Sequence, residues 1–89
     1  MNQFSNPEIS FTDPAIYRIV VQGQVNPKTA NELWGLQVTT IKTKSQKTLS
    51  VLVGQISDQS ALSGILQQIN DMHLTVVSVN MLSEVGDNV

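Results

Sequence analysis

Residues 48–81 read TLSVLVGQISDQSALSGILQQINDMHLTVVSVNM, and they hold most of the apolar residues from which a core could be built. The middle of this stretch places aliphatic residues at the i, i+3, i+4 and i+7 positions of one helical face: Leu62, Ile65, Leu66 and Ile69. Ser57 or Asp58 can cap the start of this helix, and we expect its end near Met72 or His73. The β-branched residues on both sides predict a strand, a helix and a strand with short joints.

The residues before this stretch predict two further strands and a short helix. Asn26 followed by Pro27 is typical of a helix start, and Gly35 can end that helix in a left-handed conformation. The predicted order is strand 15–25, helix 27–34, strand 36–43, polar turn 44–47, strand 48–56, then the second helix and a fourth strand. This β-α-β-β-α-β order is that of the ferredoxin-like α+β sandwich, one four-stranded antiparallel sheet with two helices on one face. We expect the first and third strands in the middle and the second at an edge, where Lys42 and Lys44 discourage pairing with other sheets.

Three positions interrupt these patterns. Gly23, near the end of the first strand, suggests a bulge or a close backbone approach. Ile41 is out of phase with Val38, which suggests a bulge in the second strand. Gly64 costs the second helix about 1 kcal/mol relative to alanine, and a small residue there would let the helix approach the sheet closely.

Length and composition limit the function classes. The 89 residues predict a single domain at 15–82, preceded by an arm at 1–14 and followed by a polar tail at 83–89. The net charge of −2 argues against a nucleic-acid partner. No apolar run approaches a membrane span, and the start of the chain lacks a signal-peptide pattern, so we expect a cytoplasmic protein. A cysteine-free chain of this size buries a modest core, which favours association as a further source of stability.

Strand alternation divides the sheet residues into two predicted faces. The face toward the helices would carry Tyr17, Ile19, Val21, Leu49, Val51, Val53, Val77 and Val79. The open face would carry Arg18, Val20, Gln22, Ser50, Leu52, Val76, Ser78 and Asn80. On the open face, Val20, Leu52 and Val76 would form an apolar centre inside a polar rim, as in a modest protein interface. We therefore predict an interface at Arg18, Val20, Gln22, Ser50, Leu52, Val76 and Ser78; the alternative is an ordinary solvated sheet face.

No residue pattern indicates catalysis, a cofactor or a metal. His73 is the only histidine and has no partner residues for ligation, so we interpret it as part of the helix end. The carboxylates are scattered singly, without the pairing that acid–base chemistry uses. Three lysines at a predicted turn, Lys42, Lys44 and Lys47, are typical of a solvated hairpin tip. Trp34 is interpreted as a core anchor with its indole N–H at the edge of the core; stacking on a ligand is the alternative.

Three ferredoxin-like families offer limited resemblances. Residues 21–25, VQGQV, resemble the opening of the acylphosphatase signature, but the following residues lack the glycines and arginine that hold phosphate there. RNA-recognition modules share the strand order and use aromatic residues on the two central strands, where this chain offers only Tyr17. ACT regulatory domains share the topology, and they often dimerise and bind amino acids at subunit interfaces.

A closer resemblance covers the C-terminal half. Two segments resemble a set of short uncharacterised bacterial proteins. The first is residues 52–62, LVGQISDQSAL, and the second is the joint formed by Asp71, His73-Leu74 and residues 77–79, VSV. In that set, a G-x-[IL]-x-D-Q-x-x-L strand–helix joint leads to a D-x-G-L helix–strand joint. The resemblance implies the ferredoxin-like fold and no activity. It also implies glycine at the position of His73, where a histidine with φ > 0 would be strained by about 1 kcal/mol.

These observations favour a non-enzymatic, self-associating protein-interaction module that uses the open sheet face. We expect a homodimer or higher homo-oligomer, with another protein as a possible partner and with no nucleic-acid or membrane partner. The alternative is an ACT-like regulatory domain that binds a small molecule at a subunit interface. An enzyme is the third hypothesis, since some isomerases and monooxygenases of this fold use few polar groups.

Overall fold

The computed structural model describes residues 14–84. Its elements are β1 (Ala15–Gln22), α1 (Pro27–Trp34), β2 (Gln37–Lys42), β3 (Thr48–Ile56), α2 (Gln59–Asp71) and β4 (Thr75–Glu84). The strands form one antiparallel sheet in the order β2-β3-β1-β4, so β1 and β3 are central and β2 lies at an edge. The predicted α+β ferredoxin-like fold is confirmed. Neither helix is long and apolar enough to cross a membrane.

Both predicted ends of the domain can be compared with the strands of the structure. Residues 1–13 of the predicted arm and residues 85–89 of the predicted tail lie outside the described part of the chain. The fourth strand continues to Glu84, two residues beyond the predicted limit of residue 82. The first strand ends at Gln22 rather than at residue 25, because Gly23 takes a positive φ of 118° there.

The helix ends are formed by the residues that the sequence indicated. The Asn26 side chain accepts hydrogen bonds from the amides of Lys28 and Thr29, at 2.9 and 3.2 Å, and Pro27 is the first helical residue. At α2, Asp58 rather than Ser57 is the cap, and its Oδ1 accepts from the Ala61 amide at 2.8 Å. These side chains satisfy amides that the first helical turn leaves without backbone partners.

Both helices end in a left-handed residue. Gly35 follows α1 with φ 69°, and His73 lies two residues beyond the end of α2 with φ 63°. At the second joint, the His73 amide donates to the Asn70 carbonyl at 2.9 Å and the Leu74 amide donates to the Ile69 carbonyl at 3.3 Å. This pair of bonds is the Schellman pattern, in which glycine is the usual left-handed residue. His73 is therefore a non-glycine residue in the left-handed conformation of this joint.

The core lies between the helices and one face of the sheet. Its buried side chains are Ala15, Tyr17, Ile19, Val21, Val25, Ala30, Leu36, Leu52, Ile56, Ile65 and Ile69. The predicted inward direction of Tyr17, Ile19 and Val21 is confirmed. Trp34, Leu62, Leu66 and Leu74 are partly buried against this cluster, so both helices contribute their apolar faces to it.

The predicted faces of β3 were wrong by one residue. Ser50 and Leu52, which had been placed on the open face, are 0% exposed and point toward the helices. The pairing agrees, since Leu52 lies opposite Ile19 and Ser50 lies opposite Val21. A buried serine is tolerated because its hydroxyl donates to the Gly23 carbonyl at 2.7 Å and accepts from the Val25 amide at 2.9 Å. The apolar run Leu49, Val51 and Val53 therefore lies on the open face.

The predicted faces of β4 also need correction. Val76 pairs with Val21 and packs partly buried against the core, so it belongs to the helix side. Val77 is the extra residue at a register shift between Val76 and Ser78, and it is exposed rather than directed into the core. Val79 aligns with Ile19 on the helix side but remains exposed, because an edge strand has a neighbour on one side only. Bulges of this kind are common on edge strands.

The three interruptions in the sequence pattern have different outcomes. Gly23 has both a positive φ and a close neighbour, since a Cβ there would lie 2.6 Å from Leu74 Cδ2. The suspected bulge at Ile41 is wrong, because β2 pairs with β3 in continuous register. A Cβ on Gly64 would meet nothing within 4 Å, so this glycine is not needed for close helix packing. Gly54 takes that role instead: a Cβ there would lie 2.7 Å from Leu36 Cδ2 and 3.0 Å from the Gly35 carbonyl oxygen.

Candidate interaction surface

The open face of the sheet carries a cluster of aliphatic side chains on three adjacent strands. We call this cluster the open-face patch, and it consists of Ile16 and Val20 on β1, Leu49, Val51 and Val53 on β3, and Ile41 on β2. All six keep part of their surface exposed, and Ile41 is the most exposed. Val51 lies near the middle, opposite Val20 on one side and Thr39 on the other. Within residues 14–84 no helix or loop covers these side chains.

The predicted interface residues divide between the two faces. Arg18, Val20, Gln22 and Ser78 lie on the open face, as predicted. Ser50, Leu52 and Val76 lie on the helix side, so they do not contribute to an open-face surface. Leu49, Val51 and Val53 take their place. The surface is therefore more apolar than the sequence predicted, because a continuous aliphatic row on a central strand replaces a serine and a leucine.

Polar groups surround the patch, and only one of them is charged. Among the described residues that the register places on this face, Arg18 alone carries a charge, and it lies between Val53 of β3 and Asn80 of β4. Gln22, Gln37, Thr39, Gln55 and Ser78 supply uncharged polar groups around the aliphatic cluster. A largely neutral surface with an apolar centre and one arginine has the composition of protein interfaces, in which lysine and carboxylates are depleted and arginine is enriched.

A groove on the helix side is a second candidate site. It has a volume of about 360 Å³, with Trp34 and Leu33 of α1 on one wall and Ala61 and Gly64 of α2 on the other. The Trp34 indole N–H donates to Gln68 Oε1 across the groove, so the predicted role of Trp34 as a core anchor with its N–H at the edge is confirmed. The described residues that line the groove carry no titratable side chain. This part of the chain therefore offers apolar and amide contacts in the groove and no acid or base.

The residues considered for other chemistry do not converge. His73 is exposed at the end of α2, as predicted, and residues 14–84 contain no group of three metal-ligating side chains. Lys42, Lys44 and Lys47 are exposed on the hairpin between β2 and β3. In this hairpin the Gln46 amide donates to the Thr43 carbonyl, and Gln46 has φ 69°.

The open face does not have the features of an RNA-recognition sheet. Tyr17 was the one aromatic residue available for base stacking on a central strand. Its side chain lies on the helix side with 9% exposure, so it cannot stack on a base at the open face. Base stacking on exposed aromatic residues is what those modules use to bind single-stranded RNA.

The fold and the surface define the class of protein: an α+β ferredoxin-like domain with a largely neutral sheet face that nothing in residues 14–84 covers. The chain belongs to the family described as "Domain of unknown function (DUF8691)", whose model matches residues 16–80. The match runs from β1 into β4 and so includes both helices and all four strands. No curated protein and no solved structure matches the chain.

Four of the residues that carried the sequence resemblance have structural roles in this chain. Gly54 leaves room for Leu36, Ile56 is buried, and Asp58 caps α2. His73 occupies the left-handed position after that helix. Each of these residues is explained by the construction of the two joints, and none of them contributes a side chain to the open face.

Proposed function

We propose that this chain is a non-enzymatic, self-associating interaction module whose open sheet face packs against the same face of a second copy. The observation that supports this proposal is the open-face patch: six aliphatic side chains on three adjacent strands, with no covering element in residues 14–84. Sheets that stack face to face lie about 10 Å apart and bury their inner aliphatic residues between them. The resemblance of the two helix joints to short bacterial proteins further leads us to propose a bacterial, cytoplasmic protein.

The size of the surface limits the strength of this contact. Four strands spaced by about 4.8 Å and eight residues rising about 3.3 Å each give a flat footprint on the order of 500 Å². A stable interface buries about 800 Å² of accessible surface on each partner. Side-chain relief adds to the flat figure, so the open face corresponds to a dimer at the small end of stable interfaces. We therefore expect dissociation at low protein concentration.

Arg18 restricts how the two faces can be arranged. In a face-to-face pair, its guanidinium must reach water or an amide of the other copy, because burying an unpaired charge costs several kcal/mol. Asn80 lies next to this arginine on the same face, and its side-chain carbonyl oxygen can accept a hydrogen bond from Arg18 of a second copy. The aliphatic stem of an arginine can at the same time cover apolar surface.

The test is the absolute mass in solution, measured by light scattering over a range of concentrations. We expect the native chain to associate and Val51→Lys to have half the native mass, because the lysine places a charge at the centre of the patch. Val20→Lys should act in the same way on the neighbouring strand. Leu33→Lys is the matched control, since Leu33 is exposed on α1 and is remote from the open face. Circular dichroism checks that each variant is folded.

Three results would count against the proposal. The first is a native chain that stays monomeric at the highest concentration measured. The second is a native oligomer whose mass is unchanged in both Val51→Lys and Val20→Lys. Loss of the oligomer in Leu33→Lys together with the open-face variants would show that added charge alone disrupts association, and this result would also count against the open face.

The alternative function, an ACT-like small-molecule sensor, has one observation in its favour. The described lining of the groove beside Trp34 has apolar walls, the amide of Gln68 and no charged group, which suits a small uncharged ligand. A ligand that binds only the folded chain raises the melting temperature by mass action. A metabolite that raises it in the native chain but not in Gly64→Leu, which fills the groove, would favour the sensor over the interaction module.

A further inference from the structure

Strand β4 is an edge strand with an unusual surface. Four large apolar side chains on it are between 36% and 56% exposed: Val77, Val79, Met81 and Leu82. No charged residue occurs from Thr75 to Ser83. The strand has one neighbour, β1, so the outer side of its backbone has no strand partner within the described residues. A long, uncharged, apolar edge is a site at which another strand can be added.

The opposite edge has the protection that β4 lacks. Strand β2 is shorter, ends in Lys42, and leads into a hairpin with Lys44 and Lys47. Adding a strand at that edge would bring these ammonium groups close to a neighbouring backbone and remove part of their hydration. The two edges therefore differ in chemistry: the lysines at the β2 edge oppose pairing with another strand, and the uncharged β4 edge permits it.

We propose that β4 pairs antiparallel with β4 of a second copy and so joins the two four-stranded sheets into one sheet of eight strands. Self-pairing suits this strand because a neutral segment opposite itself meets no like charge. Pairing of β4 with β2 of another copy would leave one edge of each type free and would continue into a filament. Pairing of β4 with itself closes after two copies, and only the two lysine-bearing β2 edges remain exposed.

The symmetry fixes the geometry of this contact. Antiparallel pairing of identical strands places the two-fold axis perpendicular to the sheet, so both helix layers lie on one side and both open faces on the other. The axis then runs between one residue of β4 and the same residue of the second copy, which face each other directly. The register of β4 against β1 shifts between Ile16 and Tyr17 and between Val20 and Val21, and the regular segment between these shifts is Ser78–Met81. One of these four residues should therefore lie beside the axis, opposite its own copy.

This inference goes beyond the open-face proposal and does not depend on it, because the two contacts use different surfaces. The edge contact places two open-face patches side by side on one eight-stranded sheet. If both contacts form, two such sheets stack and the assembly contains four chains. If one contact forms, the assembly contains two chains.

Disulfide trapping provides the direct test. The chain contains no cysteine, so a single cysteine can be introduced in turn at Ser78, Val79, Asn80 and Met81. Each variant reports whether that residue lies opposite its own copy in the second chain. At the axis, the two Cα atoms lie about 4.5–5.5 Å apart, within the range that a disulfide spans. We expect one of the four variants to form a covalent dimer at least about tenfold faster than the others, because docking raises the effective thiol concentration. Thr40→Cys, on the β2 edge, is the matched control.

The same trap in the Val51→Lys background separates this inference from the open-face proposal. A fast trap at one β4 position that persists in that background supports the edge contact. Equal rates at all four β4 positions, or no rate above that of Thr40→Cys, would overturn it. In light scattering, Val79→Lys should lower the native mass as well. A mass that falls with Val51→Lys but not with Val79→Lys would reject the edge contact and leave the open-face proposal standing. A mass that falls with Val79→Lys but not with Val51→Lys would support the edge contact and reject the open-face proposal.

Discussion

The two faces of β3 differ in a way that hydrophobicity does not explain. The open side carries Leu49, Val51 and Val53, whereas the helix side carries Ser50, Leu52 and Gly54. The less apolar set is the buried one. It is buried because each position meets a specific neighbour: the serine hydroxyl bonds to the Gly23–Val25 segment, and the glycine makes room for Leu36. Fit and hydrogen bonding therefore decided which face points inward, and the more apolar face was left open.

The largest expected effect contrasts neighbouring aliphatic residues on β3. Leu52→Ala should reduce the free energy of unfolding by about 2–5 kcal/mol, because it leaves a cavity in the core. Val51→Ala should reduce it by less than about 1 kcal/mol in the monomer, because Val51 lies on the open side. Chemical denaturation at several protein concentrations measures both, since association would add stability at high concentration. Equal losses at low concentration would contradict the assignment of the faces.

The next contrast concerns two serines on opposite faces. Ser50→Ala should cost about 1–3 kcal/mol, because it leaves the buried Val25 amide and Gly23 carbonyl without their side-chain partner. Ser78→Ala, on the open face of β4, should change stability by less than about 0.5 kcal/mol. Thermal and urea unfolding of the pair provide the comparison. A Ser50→Ala variant as stable as Ser78→Ala would show that the hydroxyl is not needed to bury this strand face.

Alanine substitution at two glycines should change the free energy of unfolding in opposite directions. Gly54→Ala should destabilise the chain by about 1–3 kcal/mol, because the added Cβ would approach the Gly35 carbonyl oxygen, a backbone atom that cannot move independently. Gly64→Ala should stabilise it by up to about 1 kcal/mol through helix propensity, since open space surrounds the position. Melting temperatures of the two variants should move in opposite directions from the native value. A shift in the same direction would contradict either the close approach of Gly54 to the Gly35 carbonyl oxygen or the open space around Gly64.

The smallest expected effect lies outside both faces, at the helix ends. His73→Gly should be neutral or stabilising by up to about 1 kcal/mol, because it relieves a left-handed non-glycine residue at some cost in unfolded-state entropy. Gly35→Ala is the control, since it introduces a side chain into the same conformation after α1 and should destabilise. A clear drop in the melting temperature of His73→Gly would rule out a strained helix end and indicate that the imidazole makes a stabilising contact.

Most of the fold could be predicted because its elements are specified by local patterns. Three predicted features depend only on nearby residues, and the structure confirms them. They are the start of α1 at Asn26-Pro27, its end at Gly35, and the apolar stripe of α2 formed by Leu62, Ile65, Leu66 and Ile69. The faces of β3 could not be read in the same way, because both alternating sets contain apolar residues. The sequence does contain one signal for the correct face. Ile56 is the last residue of β3 before α2, so its side chain points toward the helix layer, and Leu52 lies on the same face of the strand as Ile56.

The candidate surface was predictable in position and only partly in composition. An open sheet face follows from the β-α-β-β-α-β order, and Arg18, Val20, Gln22 and Ser78 were correctly placed on it. Its aliphatic row could not be predicted from alternation, because the more apolar set of β3 is the one that lies on the open face. The edge position of β4 follows from the expected strand order, but the side chains that it exposes depend on bulges, which are properties of the paired sheet.

The sequence by itself determined the order of elements, the caps and the ferredoxin-like class, because these depend on periodicity and on the conformational preferences of single residues. The tertiary structure alone decided which face of β3 is buried and which side chains β4 exposes. The physical reason is that these outcomes depend on contacts between residues far apart in the chain. Ser50 is buried because Gly23 and Val25 lie beside it, and Gly54 is needed because Leu36 packs over it.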